Sequence, residues 1–96
     1  MRYEWDEGKR KSNIRKHGFD FVDAAEMFQG DTVTVPDDRE DYGERRFVSI
    51  GLGKAVVVVV SHTELDDVIR ILSMRKATKN EENCYFEQVG NKLETD

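Results

Sequence analysis

The sequence predicts an α+β fold, with two N-terminal helices, a four-stranded, mostly antiparallel twisted sheet, and a C-terminal helix, the helices lying on one face of the sheet. Three observations predict it. Phe21, Ala24, Ala25 and Phe28 recur at helical spacing, the apolar period drops from 3.6 to two beyond Gly30, and Ala55 to Val60 is an almost unbroken run of valine of strand length. A chain of 96 residues with 38% hydrophobic content supports one modest core. Residues 1–88 are therefore read as one domain and 89–96 as a polar C-terminal tail.

Each element has a local cause. Tyr3-Glu4-Trp5 is a short strand or an anchor. Asp6 is placed to cap a helix whose first turn holds Glu7 and which runs to about His17, where Gly18 stops it. The stripe from Phe21 to Phe28 makes a second helix, ended by Gly30. Thr32 to Val35 reads as a strand closed by Pro36, and the acidic stretch Asp37 to Tyr42 as a loop ending at Gly43. Glu44 to Gly51 alternates as a strand, Gly51-Leu52-Gly53-Lys54 turns the chain, and residues 55–62 form a central strand, apolar on both faces near its middle. A turn at Glu64 to Asp67 leads into a last strand over 67–76, and Ala77 to about Glu87 forms the closing helix, with Glu81 and Tyr85 one turn apart.

Composition narrows the function. The net charge of −5 argues against a surface that grips nucleic acid everywhere, since such binding rests on many Lys and Arg contacts. The charge is uneven, however: residues 1–18 carry six Lys or Arg against three Asp or Glu, whereas residues 19–42 carry one against eight. A small basic site beside an acidic flank follows. A single cysteine, no signal-like segment and no apolar run of membrane length predict a cytoplasmic protein with no membrane role. Two histidines and one cysteine without close spacing imply no metal site, and no nucleotide loop or nucleophile elbow points to a metabolic enzyme.

The last strand is the informative one. Arg70, Ser73 and Arg75 stand among residues otherwise fit for a core, and a guanidinium is costly to bury unless an anion meets it. Substrate phosphate is one such anion; an internal carboxylate, from Glu81 or Glu44, is the alternative. Strict alternation places Ser73 and Arg75 with Ile69 and Ile71 on one face, and Arg70 with Leu72 and Met74 on the other. The two arginines serve one pocket only if the strand twists, bulges or wraps an edge.

Several motifs in order resemble the BrnT family of toxins. Trp5-Asp6-Glu7, Lys9, Asn13, Lys16-His17-Gly18, Phe21, Ala24 and Phe28 resemble its opening. Gly43-Glu44, Arg46, Ile50 and Gly51 resemble its middle, and Ile69-Arg70-Ile71, Ser73, Arg75, Ala77, Glu81 and Tyr85 its end. Met74 departs from the small residue usual before the last arginine, Leu65 from a basic turn residue, and Gly30-Asp31 from an Asp-Pro. The resemblance implies a RelE-like fold, a ribonuclease that arrests translation by cleaving RNA, and neutralisation by a BrnA-like ribbon-helix-helix antitoxin, DNA being engaged only indirectly through that partner.

Metal-independent RNA cleavage needs no cofactor. The substrate's 2′-hydroxyl is the nucleophile, so the protein supplies a base, an acid and cations for the pentavalent phosphate. By resemblance and chemistry together the expected catalytic set is His17, Lys16, Arg46, Arg70 and Arg75, with Lys9, Ser73, Tyr85 and Glu81 contacting RNA. An imidazole such as that of His17 is the natural proton carrier for this chemistry, arginines clamp phosphate in a fork, and Tyr85 stacks a base or gives a proton. Structural alternatives stand beside these. His17 ends a helix and suits its dipole, Glu81 can hold an arginine in place, Trp5 and Tyr85 suit a core, Arg45 suits the surface, and His62 suits a satisfied strand edge. A binding module of the same fold without cleavage, acting through a partner antitoxin, is the alternative function; under either reading the acidic 37–44 segment offers a basic partner segment a landing site and the arginine site attracts an acidic one.

Overall fold

The computed structural model describes residues 1–94, with side chains through residue 90. Its elements are β1 (Arg2–Glu4), α1 (Glu7–His17), α2 (Val22–Gln29), β2 (Val33–Pro36), β3 (Phe47–Gly53), β4 (Val56–Leu65), β5 (Val68–Lys76) and α3 (Lys79–Glu94). The α+β class and its three helices match the sequence reading, but the sheet has five strands, in the order β1-β5-β4-β3-β2. The added strand is β1, which runs parallel to β5 with Tyr3 opposite Ile69, so the sheet is mixed. The sequence leaves Tyr3-Glu4-Trp5 open between a short strand and an anchor, because three residues are too few to show a period, and pairing with β5 makes Arg2–Glu4 a strand.

Two tight hairpins build the antiparallel part. Lys54-Ala55 and Asp66-Asp67 each hold two consecutive residues at positive φ, between 52° and 64°, the backbone of a two-residue turn whose twist matches the flanking strands. β3 therefore reaches Gly53 and β4 begins at Val56, two residues beyond the glycine-rich turn read from sequence. α3 likewise extends past Glu87 to Glu94, while Thr95 and Asp96 lie outside the described residues.

The helices occupy both faces of the sheet, not one. On one face Phe21, Ala24 and Met27 pack on Val58, Val60, Ile69, Ile71 and Met74. On the other, Ala77 and Tyr85 cover Val57 and Val59. The valine strand demands this, because a central strand apolar on both sides must be covered on both. Met27 is more buried than Ala25 or Phe28, which shifts the centre of the α2 stripe by about one residue.

α1 has almost no apolar side chain and is held by polar contacts instead. Asp6 accepts the Lys9 backbone N–H at 2.9 Å, and Gly18, at φ 76°, closes the C-terminus with its N–H on the Ile14 carbonyl. Arg10 grips Asp20 through two hydrogen bonds of 2.8 and 2.9 Å. Asn13, buried, docks the helix on β5. Its amide donates to the Met74 carbonyl at 2.8 Å and to the Phe19 carbonyl at 3.0 Å, and its oxygen accepts the Met74 N–H at 3.0 Å. One side chain thus takes the place of a neighbouring strand where β1 no longer reaches.

Candidate functional site

A bulge decides which side chains meet. Ser61 pairs with Ser73 but His62 pairs with Ile71, which leaves Leu72 as the extra residue of β5. The faces are reassigned by it. Arg70, Ser73 and Arg75 lie with Thr63, Ser61 and Val59 on the α3 side, while Ile69, Ile71 and Met74 enter the opposite core. The alternation read from sequence, which separates Arg70 from Arg75, is corrected by this single inserted residue.

Among the described residues α3 covers the valine end of that face, and a cleft opens beside it. A cleft of about 460 Å³ is lined by Ser61, Ser73, Arg75, Glu81, Asp37 and Arg39, among others. Arg75 donates to both Glu81 oxygens at 2.8 and 2.9 Å. This pair holds the Glu81 carboxyl down at about 2 and raises the guanidinium. Glu81 also accepts the Thr78 N–H at 2.8 Å, and Thr78 Oγ1 accepts the Glu81 N–H at 3.2 Å, a reciprocal cap at the start of α3. Across the cleft Arg39 donates to both oxygens of Asp37, at 2.8 and 2.9 Å, and holds that buried carboxyl at about 2. The two guanidinium groups repel, Arg39 opposing the charge on Arg75.

A second cleft, about 230 Å³, opens on the other flank of the same strand, lined by Lys9, Ser12, Asn13, Lys16, His17, Leu72 and Ser73. The Asn13 clamp places it there, since Lys9 precedes Asn13 and Lys16 and His17 follow it at helical spacing along α1. Among the described residues none of these three side chains has a hydrogen bond or ion pair. Ser73 lines both clefts and so joins the Lys-His group to the Arg75 group.

The other expected site residues are more distant or committed. Arg46 stacks on Tyr42, 4.0 Å from the ring centre, and bonds Glu44 at 3.4 Å. Arg70 donates to Glu4 at 3.2 Å and lines a separate groove with Glu44, Thr63 and Arg2. Tyr85 is buried and its hydroxyl donates to the Asp31 carbonyl at 2.8 Å, so it serves the core and not a base platform. His62 is no edge residue. It is fully buried on β4, with Nε2 within 2.7 Å of Ser49 Oγ and its ring between Phe28 and Phe47.

Sequence reasoning missed Arg39, Asp37 and Ser61. Arg39 is hidden within an acidic run, and its only signal is being the one cation there. No group of three or more metal-ligating side chains occurs among the described residues, and no helix among them is long and apolar enough to cross a membrane.

A family model described as the ribonuclease toxin BrnT of a type II toxin-antitoxin system matches residues 5–81. No curated protein matches the chain.

Proposed function

Because the chain belongs to the BrnT family of ribonuclease toxins of type II toxin-antitoxin systems, we propose that it is a metal-independent endoribonuclease that arrests translation by cleaving RNA in the cytoplasm. The observation that carries this reading is Ser73, which adjoins three unpaired basic side chains on one flank and the Arg75–Glu81 pair on the other. RNA laid across β5 meets both groups at once. His17 moves the proton to or from the 2′-hydroxyl or leaving oxygen, Lys16 and Lys9 hold phosphate on the α1 flank, and Arg75 stabilises the charge that builds on the scissile phosphate. Glu81 orients Arg75. Arg46 and Arg70, on the open stretch of the same face, bind flanking phosphates.

The partner is a BrnA-like ribbon-helix-helix antitoxin, with DNA reached only through it. A second reading, a binding module without cleavage, draws on the arginines themselves: Arg46, Arg70 and Arg75 each already hold a carboxylate. Incubation of single-stranded RNA with the protein in EDTA separates the two. Cleavage by wild type, reduced at least about a hundredfold in His17→Ala and Arg75→Ala as expected for loss of a proton carrier or a charge stabiliser, supports the nuclease. RNA left equally intact by all three proteins supports the binding module.

A further inference from the structure

We propose that Arg39 and Arg75, with the Ser61 and Ser73 hydroxyls between them, form a phosphodiester-binding subsite in the cleft on the α3 face, Arg39 being an RNA-binding residue of this chain. The inference rests on the ribonuclease reading and extends it to a residue that is not among the motif residues carrying the family resemblance.

Geometry carries it. The two arginines line one cleft from opposite sides, Arg75 from β5 and Arg39 from the segment that follows β2. The floor between them is built by register: Ser61 and Ser73 are directly paired across β4 and β5, and neither hydroxyl has a hydrogen-bond partner among the described residues. Two open hydroxyls flanked by two planar guanidinium forks present donors from several directions, the chemistry that an oxyanion with tetrahedral oxygens satisfies.

Both forks are aimed and not loose. Asp37 is buried, accepts from Arg39 through its side chain and, at 3.3 Å, its backbone N–H, and accepts from Tyr42 at 3.4 Å. Glu81 fixes Arg75 in the same way. Each carboxylate occupies one edge of its guanidinium; Arg75 gives one further N–H to the Lys76 carbonyl at 3.2 Å, and the N–H groups left over on both arginines face phosphate. The pairing also lets two like charges share a cleft in the free protein, and phosphate between them offsets their repulsion once RNA is bound. Tyr42 ties this subsite to Arg46, whose guanidinium lies over the same ring, so the subsite continues toward the open end of the face.

The test is binding of a fully 2′-O-methylated single-stranded RNA, which cannot be cut, measured by fluorescence anisotropy over a salt series. Wild type, Arg39→Ala and Arg39→Lys are compared, with thermal melts recorded for each. Arg39 is largely exposed, so the fold is expected to survive both changes. Arg39→Ala weakens binding about tenfold and lowers the salt slope by about 0.7, the loss of one phosphate contact on a single strand. Arg39→Lys restores the slope but only part of the affinity, since it keeps charge and loses the fork. Equal affinity and slope for wild type and Arg39→Ala overturn the subsite, as does failure of wild type to bind the analogue. Should the Arg39→Ala loss appear while unmodified RNA stays uncut, the subsite stands and the nuclease reading falls.

Discussion

Arg75 and Glu81 meet through two parallel hydrogen bonds across the junction of β5 and α3, and the same carboxylate caps the helix that follows. Glu81 therefore does two jobs, one local and one directed at the site. Glu81→Gln retains the cap, because an amide oxygen still accepts the Thr78 N–H, but releases half of the grip on Arg75. Both side chains are partly exposed, so stability falls by about 1 kcal/mol or less. Affinity for a non-cleavable RNA rises a few-fold because the cleft loses one negative charge. Weaker binding in this variant would show that orientation by Glu81 outweighs competition from it.

Acid titration follows from the same carboxylates. Glu81 and Asp37 are held at about 2, below their ordinary values of 4.5 and 3.8. Their stabilisation is complete above those ordinary values and is lost as pH falls through the range down to about 2. Urea unfolding followed from pH 5 to pH 2 should steepen in wild type and flatten in Glu81→Gln with Asp37→Asn. An unchanged slope in the double variant would remove these pairs as the cause of acid sensitivity.

His62 gives a second pH window. Burial lowers its imidazole below the ordinary value of 6.5, and Glu64, at 3.8 Å, only partly opposes this. The unfolded chain thus takes up the proton first, so stability present above about 6.5 declines as pH falls from there toward the lower folded value. His62→Gln, which keeps a polar group for Ser49, should be less stable at pH 7.5 but lose less between pH 7.5 and 5. A wild-type-like decline in the variant would assign this window to another group.

Asn13 is expected to be among the most sensitive polar positions. Asn13→Ala leaves the Met74 N–H and carbonyl without their partner at a buried strand edge, a loss of about 3 kcal/mol by chemical denaturation. A cost below about 1 kcal/mol would mean that water replaces the clamp.

Gly51 and Gly53 differ in tolerance. A Cβ at Gly51 would come within 2.7 Å of Met27 Cγ and 3.1 Å of Thr32 Cγ2, whereas one at Gly53 would meet Met74 Cε and Val58 Cγ2 at 3.3 Å. Gly51→Ala should cost about 1–2 kcal/mol, with Met27 shifting to admit the methyl group. Gly53→Ala should cost less, and the reverse order in thermal melts would contradict this account of α2 against β3.

What the sequence revealed depended on whether the cause was local. The Asp6 cap, the Gly18 stop and the valine strand are short-range signals, and they gave α1 and β4 to within a few residues. The faces of β5 were illegible because Ile-Arg-Ile-Leu-Ser-Met-Arg leaves apolar residues on both sides in either register, and only pairing with Ser61 and His62 reveals Leu72 as the inserted residue. Arg39 was obscured by Asp38, Glu40 and Asp41, since nothing in an acidic run tells which carboxylate turns inward. Asn13 entered only as part of the opening motif and without a role, because nothing local shows that a helix amide will meet Met74, although it fixes where Lys16 and His17 stand.

The Asn13 clamp also sets an order of events during synthesis. Its partner, Met74, is 61 residues away, and β1 must wait for Val68–Arg70 before it has anything to pair with. A nascent chain therefore carries its basic N-terminal helix without a docking place until nearly the whole domain has emerged from the ribosome. The lysines and His17 come into register with Ser73 only at that late stage, so a prematurely terminated product lacks the assembled surface.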